Sequence, residues 1–410
     1  MEETSAARRA IQWLVAGGIS VSLLLPQGMM FVSICLMVFG LWCLLTRRWT
    51  WQRQDDPLAL INLAFAVYAL GSAAIMWWHG DRIGHYEAYL PFLGAGLLGI
   101  GLRVARLPAS LVGSSLAVAA VLAAAASAFS VFTAESVHRA TFFEVGTAFG
   151  GVGAIILGSM GATYAVICCT LLGCVEGKHP LAQRGLLVAG IVGGLVVALL
   201  SGSKGAWIPL LAVLPAALWF AGHQLSLRLR LGCAVLLLSC ATAAVVMPNS
   251  PVIPRTAEWW REGDKFRRAF WAEAAGLFLE QPLVGAGRAE LGQRLDHAAL
   301  SVRPYASHEK PPGHAHNDYL DALAARGGVG LLFLLPVFAV PLAVFFRFRH
   351  ARGLAGGAAV CGMLFILAFV LGGMTDVLFM LNSKRMAYLF VVLFLATTAT
   401  ATRANRERTP

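Results

Sequence analysis

Long apolar runs separated by short polar connections dominate the chain from end to end. Twelve of them approach the roughly 20 residues that a helix needs to cross a bilayer. They are Ile11–Leu25, Gly28–Leu45, Leu58–Trp78, Ala88–Leu102, Pro108–Phe132, Gly146–Cys174, Gly185–Leu200, Ala206–Ala221, Leu229–Met247, Tyr319–Phe346, Gly353–Gly372 and Met386–Thr400. The first and fourth are short. Pro336 and Pro341 predict a kink in the tenth. The pattern implies an all-α, polytopic integral membrane protein of about 12 transmembrane helices.

One connection breaks the rhythm. From Pro248 to Gly313 no apolar run is long enough to span, which divides the chain into helices 1–9 (1–247), a loop subdomain (248–315) and helices 10–12 (316–410). Within the loop, "DKFRRAFWAEAAGLFLEQP" sets Phe266, Phe270, Ala274 and Phe278 at helical spacing, with Asp264 as N-cap and Pro282 as stop. This helix is expected to lie on the membrane surface or to pack over the mouth of the bundle. A glycine turn and a second short helix from about Arg288 follow.

Composition agrees: 58% of the 410 residues are hydrophobic and 13% charged, more apolar surface than a soluble chain of this size can hide. Lys and Arg exceed Asp and Glu by 32 to 21. That excess gathers at alternate connections, so it reads as basic cytoplasmic loops, with no nucleic-acid partner. Both termini are then cytoplasmic, and the large loop faces the opposite side. No cleavable signal peptide is recognised, since Ile11–Leu25 lacks an A-x-A site. The eight cysteines lie in or beside apolar runs and read as small core residues.

Candidate chemistry gathers on the outer side. "GHAHNDYLDALAARGGVGLL" opens the tenth run with two histidines, an asparagine and two aspartates, where ionisable groups are costly and usually functional. His316 lies in register with Leu320, Leu323 and Gly327, at the head of a stripe that packs into the bundle. It is either a structural histidine at a helix end or a general base. His314 and His316 form H-x-H without a third nearby His or Cys, a weak start for a metal site. Lys204, Arg267, Arg268, Arg288, Arg294, Arg303 and Lys310 put cations on the same side, and Arg288 at a helix N-terminus suits an anion. Singly, such charges are usually solvated. Together they suit a phosphorylated lipid carrier, its diphosphate held while a hydroxyl is activated.

These residues also carry a resemblance. "HNDYLDALAARGGVG" fits the pattern H-[NSQ]-x9-G-x-x-[GTY] at His316, Asn317, Gly327 and Gly330, and "RAFWAEAAGLFLEQPLVGAG" fits an R-x-x-W helix followed by a P-L-x-G-x-G turn. "SGSKGAW" is similar to S-R-G-A-W, with Lys204 where arginine is usual, which keeps the charge and loses the bidentate fork. Together these motifs resemble the O-antigen ligase and polymerase family of polytopic glycosyltransferases. The resemblance implies a GT-C-like, metal-independent, inverting transfer at the periplasmic face of the bacterial inner membrane, without cofactor. The donor would be a glycan on undecaprenyl diphosphate and the acceptor lipid A–core, both presented among membrane lipids. On the cation cluster and the resemblance together, we expect His316 as base and Arg288 as diphosphate anchor, with Lys204, Arg267, Arg268, Lys310, His314 and Asn317 around the substrates. The pattern, not the chemistry, selects His316 over His314.

Within the same class stand an O-antigen polymerase and a protein O-oligosaccharyltransferase. One large outer loop and a short segment after the twelfth run favour the ligase. Outside the class stands a lipid-linked sugar transporter, which should place charges deep in several spans.

Overall fold

The computed structural model describes residues 2–25, 27–133, 153–175, 180–222, 226–262, 264–302 and 313–401. It is helical, with no strand among the described residues. In chain order the helices are α1 (Glu2–Ser20), α2 (Gly28–Leu45), α3 (Asp56–Trp78), α4 (Leu90–Leu93), α5 (Ala95–Ala105), α6 (Ala109–Thr133), α7 (Ala154–Leu172) and α8 (Pro180–Leu200). Then come α9 (Lys204–Gly222), α10 (Leu227–Val246), α11 (Val252–Glu262), α12 (Lys265–Glu280), α13 (Gly287–Val302), α14 (Asp318–Phe348), α15 (Leu354–Gly373) and α16 (Asn382–Thr400).

Eight of the twelve expected spans are helices long and apolar enough to cross a membrane. The other four are also helical, in α1, α5, α10 and α16. Exposed Trp13, Trp77, Phe129, Leu181 and Leu211 on the helices give the bundle the apolar outer surface that a bilayer solvates.

Small residues let these helices approach. Gly40 of α2 and Gly101 of α5 face one another's backbone, so a Cβ at Gly40 would overlap the Leu97 carbonyl and one at Gly101 the Leu36 carbonyl. Such close crossings are how helices associate where lipid offers no hydrophobic drive. α16 lies deep in the bundle: from Lys384 to Thr397 every residue is buried. At one of its ends Arg103 of α5 binds Asp55 (2.7 Å), the carbonyls of Gln54 and Thr397, and the Thr400 hydroxyl. The other end carries the candidate site.

α14 is interrupted ahead of the two prolines expected to kink it. Pro336 and Pro341 sit within the helix, and the interruption falls at Gly327 (φ 67°, ψ −167°). Its cause is tertiary. The turn 282–286 lies along the break, with Ala286 N–H donating to the Ala324 carbonyl (2.9 Å). Gly328 N–H donates to Pro282 (2.8 Å) and Val329 N–H to Leu283 (3.1 Å). Backbone groups that the helix leaves open are satisfied by the turn.

Candidate active site

A small core separate from the bundle supports the site. Phe270, Ala274 and Leu277 of α12 pack with Leu291, Leu295 and Ala298 of α13 and with Ala315, Ala324 and Ala325. Asp264 caps α12, its carboxylate accepting the Arg267 N–H (3.3 Å), as the sequence predicted. Thus α12 packs over the mouth of the bundle on Phe270, Ala274 and Leu277, while Arg294 ties α13 to α12 through Glu273 and Glu280.

The N-terminus of α13 is already filled. Asp81, from the connection after α3, accepts the backbone N–H groups of Arg288 (3.1 Å) and Ala289 (3.3 Å). The anion that sequence reasoning placed there is this carboxylate, contributed from 207 positions away. His79 adds a contact from Nε2 to the Val284 carbonyl (3.0 Å). The Arg288 side chain is thereby turned inward, where Nη1 meets Asp321 Oδ2 at 2.5 Å and Nη2 has no hydrogen-bond partner among the described residues. Asp321 Oδ1 accepts the Ala315 N–H (3.1 Å), which fixes the backbone between the two histidines.

His316 does not ride on the α14 stripe. Asn317 is the N-cap, its Oδ1 accepting the N–H groups of Tyr319 and Leu320 (both 3.0 Å) and its Nδ2 donating to the Met374 carbonyl (2.9 Å). The cap needs extended backbone at Asn317, and His316 just before it adopts φ 50°, in the left-handed region. The His316 ring stacks on Phe270 and meets the His314 ring edge-on, with centroids 4.5 Å apart. His316 Nδ1 lies 3.6 Å from Asp376 Oδ1, ion-pair range but too long for a hydrogen bond. Asp376, between α15 and α16, also accepts from Lys384 Nζ at 2.6 Å. Burial opposes its charge, but the Lys384 ammonium and the neighbouring His316 together outweigh that and hold the carboxyl well below the usual range. Burial, with His316 alongside, pushes His314 down to about 4, so its imidazole is neutral near pH 7. The start of α9 borders the same place: a Cβ on Gly205 would lie 3.2 Å from Thr375 and 3.7 Å from Asp376.

Of the expected site residues, the fold brings His314, His316, Asn317 and Arg288 together and sets the Lys204 backbone nearby. Arg267 pairs with Asp264 (3.3 Å) and Arg268 is exposed. Lys310 and Arg303 lie outside the described residues. Sequence reasoning missed Asp81 and Asp376, and the partners of Asp321 and Lys384. The one available signal was a carboxylate or ammonium at the mouth of an apolar run. Among the described residues no three His, Cys, Asp or Glu side chains are grouped to hold a metal ion.

The geometry offers a positioned histidine, a fixed carboxylate and a half-partnered buried guanidinium, suited to activating a hydroxyl beside an anion. Residues 189–335 match the family model described as O-antigen ligase. That segment runs from within α8 into α14 and holds Arg288, His314 and His316, whereas Asp81, Asp376 and Lys384 come from outside it. No curated protein matches the chain.

Proposed function

Since this multi-pass helical chain carries an O-antigen ligase segment at residues 189–335, we propose that it transfers an undecaprenyl-diphosphate-linked glycan onto a sugar hydroxyl of lipid A–core. The observation that carries this reading is the convergence of His316, backed by the Asp376–Lys384 pair, with Arg288, whose Nη2 has no hydrogen-bond partner among the described residues. His316 takes the proton of the acceptor hydroxyl as that oxygen attacks the donor's anomeric carbon. The bond from that carbon to the diphosphate oxygen breaks, with inversion, and the electron pair leaves on the diphosphate. Arg288 meets the growing charge, an effect worth about 3 to 4 kcal/mol for one well-placed donor. A positioned base contributes roughly 10²–10⁴-fold. Asp376 orients the imidazole, and Lys384 keeps Asp376 ionised.

A polyprenyl diphosphate leaves readily once its charge is met, so the reaction as proposed needs no divalent metal. Lys204, at the start of α9, enters through its backbone position next to Gly205, which borders Asp376. The alternation of basic connections supports an inner-membrane setting with cytoplasmic termini and the site at the periplasmic face.

The test is a lipopolysaccharide gel, with analysis of lipid-linked glycan, on cells lacking the gene and complemented with wild type or His316→Ala. Loss of the ladder in the variant, with long glycan accumulating on the carrier, is expected. A single repeat retained on lipid A–core would replace the ligase with a polymerase, and an intact ladder would remove His316 as base.

A further inference from the structure

Beside the transfer point, a narrow crevice with room for little more than an oxygen atom or two opens between the connection after α3 and the break in α14. Met76, His85, Tyr89, Arg288, Arg326 and Met380 line it, with Asp81 at its edge. Three of these side chains carry a buried nitrogen without a hydrogen-bond partner among the described residues: His85 Nδ1, Arg288 Nη2 and Arg326 Nε. Guanidinium nitrogens only donate, so whatever completes them must present acceptor oxygens.

Charge narrows the choice. Arg326 is 6% exposed, bonds the Tyr89 hydroxyl and stands over the Tyr68 and Tyr89 rings, yet has no carboxylate at ion-pair distance among the described residues. The nearby carboxylates are engaged elsewhere. Asp81 holds the N-terminus of α13, Asp321 holds Arg288 and the Ala315 N–H, and Asp318 accepts the Leu378 N–H (3.0 Å). Arg385, 1% exposed, reaches the Ala88 carbonyl next to Tyr89 and likewise has no carboxylate partner there. Buried guanidinium groups without a counter-ion are costly, and a charged side chain at the mouth of a span is there by default to meet a ligand.

We propose that this crevice is a subsite for an oxyanion borne by a substrate sugar, either a carboxylate or a phosphate monoester, separate from the diphosphate at the transfer point. The assignment rests on the glycan-transfer reading for the sugar that carries the anion. Arg326 donates to the anionic oxygens, His85 contributes a second contact, and Tyr89 forms the wall, while Arg288 at the rim keeps its free nitrogen for the diphosphate.

Saturation-transfer NMR and calorimetry on the detergent-solubilised full chain, with glucuronate, glucose 6-phosphate and glucose as probes, test it. One or both acidic sugars should bind and glucose should not; which acidic sugar binds tells carboxylate from phosphate. Arg326→Gln should weaken that binding by about tenfold or more, the loss of one charge-assisted hydrogen bond. Glucose binding as well as the acidic sugars, no probe binding, or a folded Arg326→Gln with unchanged affinity would each overturn the subsite. Should Arg326→Gln fail to fold, His85→Gln decides: weakened binding supports the subsite and unchanged binding removes it. Glycan transfer by the wild type is measured separately, so loss of the ligase reading with retained acid-sugar binding, or the reverse, is seen as such.

Discussion

Gly285 and Gly327 lie back to back, and a Cβ built on either would sit 2.6 Å from the amide nitrogen of the other. Both have positive φ, 73° and 67°. The two glycines of the P-L-x-G and H-N-x9-G motifs thus form one structural element: the turn after α12 laid against the break in α14.

Gly327→Ala should therefore fail to give a folded protein. The left-handed backbone alone costs about 1 to 3 kcal/mol, and the overlap with the opposing strand of backbone must be relieved as well. The yield of monodisperse protein from membranes checks this, and a stable Gly327→Ala chain would contradict the packing.

Removing one partner of the Arg288–Asp321 pair should destabilise strongly, by about 3 to 5 kcal/mol, because a buried charge is left alone. Asp321→Asn and Arg288→Gln combined should lose much less than the sum of the single changes. Additive melting shifts across the four proteins of this cycle would show that the pair is not coupled.

Asp81→Ala should cost about 0.5 to 2 kcal/mol, the range for a lost helix cap, and let Arg288 drift. Donor KM is expected to rise more than kcat falls, with Asp81→Asn partly restoring both. Equal loss in Asp81→Asn and Asp81→Ala would detach the cap from this role.

Acid should loosen the site. His314 binds its proton at about 4 when folded, against 6.5 for the free side chain, so between these values the unfolded chain holds more protons. Stability from this residue is complete above about pH 6.5 and falls by up to about 3 kcal/mol as pH drops toward 4, at about 1.4 kcal/mol per unit. Asp376, held low by Lys384, adds its own loss only below about pH 4. Thermal inactivation at pH 7 and pH 5 should differ in wild type and converge in His314→Phe; an equal difference in both would reject the assignment.

Periodicity and punctuation made much of this legible. Apolar runs located the helices, Asp264 and Pro282 bounded α12, and the H-N-x9-G spacing singled out His316, Asn317 and Gly327. The partners of these residues were not legible. Asp81 meets Arg288 across 207 positions, and Asp376 reaches His316 from the connection between α15 and α16. No local period encodes such pairings; they exist only once separate connections are brought to the same end of the bundle. The break at Gly327 was missed for a related reason, since prolines mark a bend from within one helix while Gly327 is broken by a neighbour.

α16 follows every other described helix in the chain and yet runs through the middle of them, with Lys384 and Arg385 at the site and Thr397 and Thr400 at the far network of Arg103. During synthesis the earlier helices enter the membrane around a space whose filler has not been made. Until α16 arrives, Asp376 lacks its ammonium and Arg103 lacks two of its acceptors, so both ends of the bundle mature in the same late step.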